Sequence, residues 1–182
     1  MYGQPTLIHR LLGNRRLMIG SAVGIVVVLI AGVVLMNANN DPVQSGLERL
    51  SVRYGTLVSL TQASAGRIRD DGLAKLNAEA ITLFTSDNAS VSTLVKSRFG
   101  TIPDDIKKTE ADTTSTAQLQ KAYLLNQYDA TYASLLQTRF ASTLSLITKV
   151  QSQSSNSETL RLLKTMHSNL SALQDRLSKL NL

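Results

Sequence analysis

The chain lacks cysteine and tryptophan and has few prolines, and each scarcity limits what the protein can be. Without cysteine there is no disulfide, no thiolate metal site, no cysteine nucleophile and no cysteine-linked lipid anchor. Three prolines and ten glycines in 182 residues leave few positions that break helices. The composition therefore favours long helices over many short strands, and the fold must be stabilised by packing alone.

The net charge of +6 is not concentrated on a binding stripe. Residues 1–40 contain three arginines and no acidic residue, whereas residues 41–182 combine the remaining basic residues with all 13 acidic ones. A protein that binds nucleic acid groups its cations where they can follow the phosphate backbone. The interspersed charges predict that this chain does not bind nucleic acid.

One long apolar run, from Leu17 to Met36, contains no charged residue. A helix of about 20 residues spans ~30 Å, which is the hydrocarbon thickness of a bilayer. The alternative is a cleaved signal peptide. This run is longer than the apolar region of such peptides, and Met36 stands where cleavage requires a small residue. We therefore predict a transmembrane signal-anchor helix over residues 17–36.

The flanks of this run predict its orientation. The charged residues that precede it are all arginines, and by the positive-inside rule this side stays in the cytoplasm. We expect a basic cytoplasmic tail over residues 1–16, a short linker over 37–41 and an extracytoplasmic domain over 42–182. The protein is then a single-pass membrane protein, and the lipid bilayer is one of its partners.

Gly20, Gly24 and Gly32 lie inside the predicted span. Small residues at this spacing let two membrane helices approach closely, so these glycines are candidates for packing against a protein partner or a second copy. The alternative is that they have no such role, because glycine is common in membrane helices.

Apolar residues in the rest of the chain recur at steps of three and four, the pattern of helices with one buried face. Four such helices are expected, starting near Pro42, Asp71, Thr114 and Ser157, with the third continuous over residues 114–151. A polar segment over 101–117 separates the second from the third. This pattern predicts an all-α domain, an antiparallel four-helix bundle. The alternative is a pair of extended coiled-coil hairpins.

Two stretches carry a resemblance to a known family. One is Leu73-Ala-Lys-Leu-Asn-Ala-Glu-Ala-Ile-Thr-Leu-Phe-Thr-Ser-Asp87-Asn88, and the other is Tyr128-Asp129-Ala-Thr-Tyr132. Both resemble the exported bacterial ferritin-like four-helix-bundle domains of unknown function. The resemblance implies a ferritin-like bundle. It also implies loss of the metal-type histidines, since the family's Asp-His pair is Asp87-Asn88 here and a further histidine is replaced by Phe140.

The remaining residues do not supply a metal or catalytic site. A di-iron bundle needs glutamates followed by histidine at the third position. The four glutamates, Glu48, Glu79, Glu110 and Glu158, are followed there by serine, threonine or arginine. His167 is the one histidine after the apolar run, and we assign it to the surface or to packing. We therefore predict no metal, no cofactor and no enzymatic activity.

Asp87, Tyr128, Asp129 and Tyr132 are the polar residues that the pattern places near the core. A carboxylate taken into a bundle needs a partner such as a tyrosine hydroxyl or an arginine. One interpretation is that these residues are buried polar clamps that hold the helices in register. The other is that they are the remnant of a metal or ligand site. We favour the clamps.

Two functions remain. The first is a non-enzymatic, membrane-anchored module of the cell envelope, with a structural or protein-interaction role. An exposed apolar or aromatic patch would support it. The alternative is a small-ligand-binding or sensor domain that acts through a partner subunit, which a deep pocket lined by tyrosines would support. A residual metalloenzyme is the third and weakest hypothesis.

Overall fold

The computed structural model describes residues 41–180, and this part of the chain is helical and contains no strand. The prediction of an all-α domain is confirmed. The helices are α1 Pro42–Ser64, α2 Asp71–Phe99, α3 Asp104–Glu110, α4 Ser115–Leu124, α5 Tyr128–Gln153 and α6 Ser157–Leu177.

Local residues decide where the long helices begin and end. The side chain of Asp70 accepts a hydrogen bond from Leu73 N at the start of α2, and Asn156 accepts one from Thr159 N at the start of α6. Such caps satisfy backbone N–H groups that have no partner within the helix. Helix α2 ends at Phe99 and is followed by Gly100, whose φ of 84° is readily adopted only by glycine.

The four long helices α1, α2, α5 and α6 pack around one hydrophobic core. Ser64 at the end of α1 bonds Tyr128 at the start of α5, so these two helices are antiparallel. Arg98 near the end of α2 likewise bonds Thr159 at the start of α6. Residues 100–127, which include α3 and α4, therefore cross from one end of the bundle to the other.

Aromatic rings occupy the centre of the core. Phe84 lies edge-on to both Tyr54 and Phe140, with ring centroids 5.9 Å and 5.6 Å away, and all three side chains are fully buried. Helices α1 and α5 approach closely at Gly46, where a methyl group would overlap the side chain of Val150. The core is thus built from α1, α2 and α5 and is completed by the leucines of α6.

The prediction of one continuous third helix over 114–151 is wrong. The chain forms α4 and α5, which are separated at residues 125–127, where Asn126 has a φ of 54°. Asparagine tolerates this left-handed conformation because its short side chain bonds locally. Tyr123 lies in the last turn of α4, immediately before the break, and is 43% exposed.

The predicted signal-anchor over residues 17–36, with Gly20, Gly24 and Gly32, lies outside the described residues. Within residues 41–180, no helix is both long enough and apolar enough to cross a bilayer.

Candidate functional site

An apolar patch stands at the junction of α4 and α5. Tyr123, Leu124 and Leu125 are 43%, 73% and 56% exposed, and they are the large hydrophobic side chains that the described residues leave in solvent. We call these three residues the junction patch. It lies at the end of the bundle where α1 ends and α5 begins, which is opposite to Pro42.

The backbone beneath the patch is held by hydrogen bonds. Leu125 N donates to the carbonyl oxygens of Lys121 and Ala122, each at 3.2 Å, and Gln127 N donates to Ala122 O at 2.8 Å. These bonds satisfy the last carbonyl groups of α4 and close the turn. The patch is therefore presented by an ordered turn and not by a long loop.

Cationic side chains surround the junction patch. The guanidinium of Arg67 lies 5.7 Å from the centre of the Tyr123 ring, a cation–π contact, and donates to Gln120 at 3.1 Å. Arg69 donates to Asn126 Oδ1 at 3.3 Å, and Lys121 is exposed one helical turn before Leu125. A patch of this composition combines apolar surface with a positive rim.

Two of the predicted clamp residues, Tyr128 and Tyr132, lie behind the patch in the bundle. The Tyr128 hydroxyl donates to Ser64 Oγ at 2.9 Å, and the Tyr132 hydroxyl donates to Asn77 Oδ1. Asn77 in turn donates to Thr61 O at 3.1 Å. Burial raises the pKa of Tyr132, so its hydroxyl stays protonated and remains a donor. Both tyrosines thus connect α5 to the α1–α2 hairpin.

Asp129, also a predicted clamp, is half-buried and bonds backbone atoms instead of a tyrosine or arginine side chain. Its carboxylate accepts from Arg69 N at 3.1 Å and from Asp70 N at 2.8 Å. These N–H groups belong to the turn between α1 and α2, where the helical bonding pattern is interrupted. Asp129 therefore connects the start of α5 to that turn.

Replacing Asp129 with alanine should lower the free energy of unfolding by about 2 kcal/mol, because charge-assisted bonds to two backbone N–H groups are lost. Thermal unfolding followed by circular dichroism measures this change. Metal content before and after the substitution provides the control. A bound metal that disappears with Asp129 would show that this carboxylate belongs to a metal site.

Asp87, the fourth predicted clamp, is 4% exposed and bonds an amide, not the tyrosine or arginine that we expected. Asn169 Nδ2 donates to its two carboxylate oxygens at 3.1 Å and 3.2 Å. Burial raises the pKa of Asp87, and the bond from Asn169 offsets only part of that effect. The buried Tyr54 hydroxyl, whose pKa is raised by burial and by the charge of Asp87, has no hydrogen-bond partner among residues 41–180.

Asn169 and Tyr54 were not predicted from the sequence to lie beside Asp87. Asn169 is adjacent to Leu170, one of the regularly spaced apolar residues of α6. Its polar side chain beside a core position is the feature of the sequence that could have indicated a buried polar contact. Its pairing with Asp87 joins residues 82 positions apart and depends on how α2 packs against α6.

A groove of about 690 Å³ runs along α1, between this helix and the crossover. This volume lies within the range of about 300–1,000 Å³ that small-molecule sites occupy. Small and apolar residues of α1 form one wall, Leu119 and Tyr128 contribute to the lining, and Arg67 and Lys107 add positive charge. The groove is only half enclosed, and one of the four predicted clamps, Tyr128, lines it.

Glu110 fixes the crossover beside this groove. Its buried carboxylate accepts from Arg49 Nε and Arg53 Nε, each at 2.5 Å, and both arginines belong to α1. Burial opposes the ionisation of Glu110, but the bonds and charges of Arg53 and Arg49 outweigh burial and lower its pKa. The ionised carboxylate therefore stabilises the contact between α3 and α1.

We expect Glu110→Gln to weaken this contact by about 2 kcal/mol, since two charge-assisted bonds to arginine are reduced to neutral ones. Hydrogen exchange of the α3 amides should become faster, while that of α2 amides stays unchanged. Because the pKa is lowered in the folded state, the stabilisation is complete above pH 4.5 and is lost as the pH falls through the lowered value. Exchange in α3 that is insensitive to both changes would contradict this role.

The other glutamates are engaged in separate contacts. Arg176 pairs with Glu79, Arg98 with Glu158 at 2.6 Å, and Gln44 donates to Glu48 at 2.9 Å. The Nδ1 atom of His167 lies 3.4 Å from the Oγ atom of Ser171 on the same helix. Across the residues that the structure describes, no three histidine, aspartate or glutamate side chains are grouped closely enough to hold a metal ion.

No protein-family profile, curated protein or solved structure shows significant similarity to this chain.

Proposed function

We propose that the protein is a membrane-anchored, extracytoplasmic helical-bundle protein without enzymatic activity, and that it acts as a structural or protein-interaction module of the cell envelope. The observation that carries this proposal is the junction patch. Exposed apolar patches rimmed by polar residues are typical of surfaces that contact a protein or a membrane. Here three consecutive large apolar side chains are exposed at the end of α4 and in the hydrogen-bonded turn that follows it.

The architecture proposed for the extracytoplasmic part is a ferritin-like bundle. Its support is the pairing of α1 with α5 and of α2 with α6, together with the long crossover over residues 100–127. One long crossover is the connection that distinguishes this class from simple up-and-down bundles. The resemblance at residues 73–88 and 128–132 favours the same class.

The anchor and the orientation rest on the charge-free run over residues 17–36 and the arginines before it. The chain enters the described bundle at Pro42, and the junction patch lies at the other end.

The absence of catalysis is proposed from how the acidic side chains are used. Glu110 is bound by Arg49 and Arg53, Asp87 by Asn169, and Asp129 by backbone N–H groups. Acid–base catalysis by carboxylates needs a group free to exchange a proton with a substrate. These contacts favour structural roles for the three carboxylates.

The experiment is site-specific photo-crosslinking in native membranes, with benzoylphenylalanine in place of Leu124 and, as the matched control, in place of exposed Ala141 on α5. We expect adducts at position 124 and few at position 141, identified by mass spectrometry as protein or lipid. Equal labelling at both positions, or none at position 124, would contradict the proposal.

The groove along α1 favours a second candidate, a small-ligand-binding or sensor domain that acts through a partner subunit. This function predicts that the full chain, purified in lipid nanodiscs, retains a small molecule that native mass spectrometry detects. Substituting Ser59 in the groove with tryptophan should then release the molecule, whereas Leu124→Ser should not. Retention unaffected by the groove substitution would contradict this candidate.

A further inference from the structure

We infer that the junction patch docks on an anionic phospholipid surface, with Leu124 and Leu125 inserted among the acyl chains and Arg67, Arg69 and Lys121 facing the headgroups. The inference rests on the proposed function, because it names the partner of the same surface. It adds a contact with lipid that is separate from the predicted anchor at residues 17–36.

The shape of the patch favours lipid over a folded protein. A stable protein interface covers about 800 Å² on each partner, and an aromatic side chain contributes about 150–250 Å² when buried. The junction patch has only three side chains, and two of them are more than half exposed. Their combined surface is well below the ~800 Å² that a stable protein interface needs. A bilayer surface requires no matching pocket, so a few inserted side chains are sufficient for docking.

The charges around the patch favour an anionic surface. Arg67, Arg69 and Lys121 form no ion pair with any residue between 41 and 180. These three cations can therefore bind headgroup phosphates without first breaking an internal pair.

Three acidic residues at the same end are engaged with helix starts, whereas Asp175 lies exposed in the last turn of α6. Asp70 caps α2 through Leu73 N, and Asp129 accepts from two backbone N–H groups. Asp71 lies in the first turn of α2, where the positive end of the helix dipole offsets its charge. The negative charges of these engaged acids therefore weaken the attraction between the arginines and anionic headgroups less than the number of acids suggests.

Tyr123 supplies the third element of a lipid contact. Its ring lies below the Arg67 guanidinium and meets Tyr128 edge-on at 6.1 Å, so its orientation is fixed by the bundle. Tyrosine is enriched at the boundary between headgroups and hydrocarbon, where its ring is buried and its hydroxyl remains wet. The patch therefore has an apolar tip, an aromatic residue for the boundary and cations for the headgroups.

The chain has no tryptophan, so Leu124→Trp provides one unique fluorescent reporter. The full chain carrying this substitution is held in nanodiscs of unbrominated lipid and mixed with vesicles of phosphatidylcholine that contain about a third phosphatidylglycerol and brominated acyl chains, which quench tryptophan on contact. We expect quenching about threefold stronger than for the control Ala141→Trp, which reports the background due to chance contact with the vesicles.

Two further arms test the charges. Vesicles of phosphatidylcholine alone, and the triple substitution Arg67→Gln, Arg69→Gln, Lys121→Gln, should each reduce the quenching at position 124 to near the control. Circular dichroism verifies that every variant keeps its helical content. Quenching equal at positions 124 and 141, or unchanged without anionic lipid, would overturn the inference.

The outcome also separates this inference from the proposed function. Protein adducts at position 124 in the crosslinking experiment, without quenching by lipid, would mean that the module binds a protein and that the lipid assignment is wrong. Neither adducts nor quenching at position 124 would refute both.

Discussion

Replacing Phe140 with alanine is expected to lower the free energy of unfolding by about 3–5 kcal/mol, a large part of the stability of a domain of this size. The Phe140 side chain is fully buried and packs edge-on against Phe84 at the centre of the core. Its removal leaves a cavity that α1, α2 and α5 cannot close without losing their other contacts. The measurement is urea unfolding of the full chain in detergent, followed by circular dichroism.

Two controls accompany this substitution. Phe140→Leu keeps most of the volume and should cost less than half as much, and Thr138→Ala, at an exposed position of the same helix, should change little. A loss below about 1 kcal/mol for Phe140→Ala would mean that the core does not depend on this ring. The result bears on function, because a ring required for packing at position 140 would favour a structural core over a remnant metal site.

Asp87→Asn is expected to stabilise the protein at neutral pH by about 1–3 kcal/mol, because it removes a buried carboxylate that has no cationic partner among the described residues. The amide oxygen at position 87 can still accept from Asn169, and its NH₂ group is available to the unpartnered Tyr54 hydroxyl. The substitution therefore preserves one contact and adds the potential for another.

The sign of the pH dependence follows from the raised pKa. The folded state holds the Asp87 proton more tightly than the unfolded state, whose carboxyl group has a pKa near 3.8. This contribution to stability is complete below pH 3.8 and is lost as the pH rises through the raised value. The difference in melting temperature between Asp87→Asn and the parent chain should accordingly grow from acid to neutral pH.

The matched control is Asp104→Asn, since Asp104 is exposed and its pKa is lowered by the bond and the charge of Lys107. This variant should give a small change that does not follow the pH dependence of Asp87→Asn. A constant difference for Asp87→Asn between pH 3 and pH 7, or a loss of stability at neutral pH, would mean that the carboxylate is held by a favourable partner. Adding divalent cations before the melt would then test for a metal.

The two predictions together separate a structural core from a remnant metal site. A bundle that uses Phe140 for packing and gains stability when Asp87 loses its charge has no requirement for an ion at its centre. That result would strengthen the assignment of function to the junction patch, which lies on the surface and is independent of both residues.

Several features could be predicted from the sequence because their causes are local. Asp70, Gly100 and Asn156 act on backbone groups within a few residues, so the ends of α2 and the start of α6 were predictable from short motifs. The spacing of apolar residues likewise predicted an all-α domain. The apolar run over 17–36 is equally local, and its assignment as an anchor remains a prediction.

The exposure of side chains and their long-range pairing depended on the tertiary structure and not on local sequence. The helix α4 ends before Asn126, and Tyr123, Leu124 and Leu125 stay exposed at this break because the core does not cover them. Asp87 is bonded to a residue 82 positions away along the chain, and Glu110 is bonded to an arginine of α1. Helix formation depends on neighbours along the chain, whereas exposure and pairing depend on which helices the core brings together. For this reason the sequence by itself determined the all-α class and the long helices α1, α2 and α6, and only their packing determined the candidate surface.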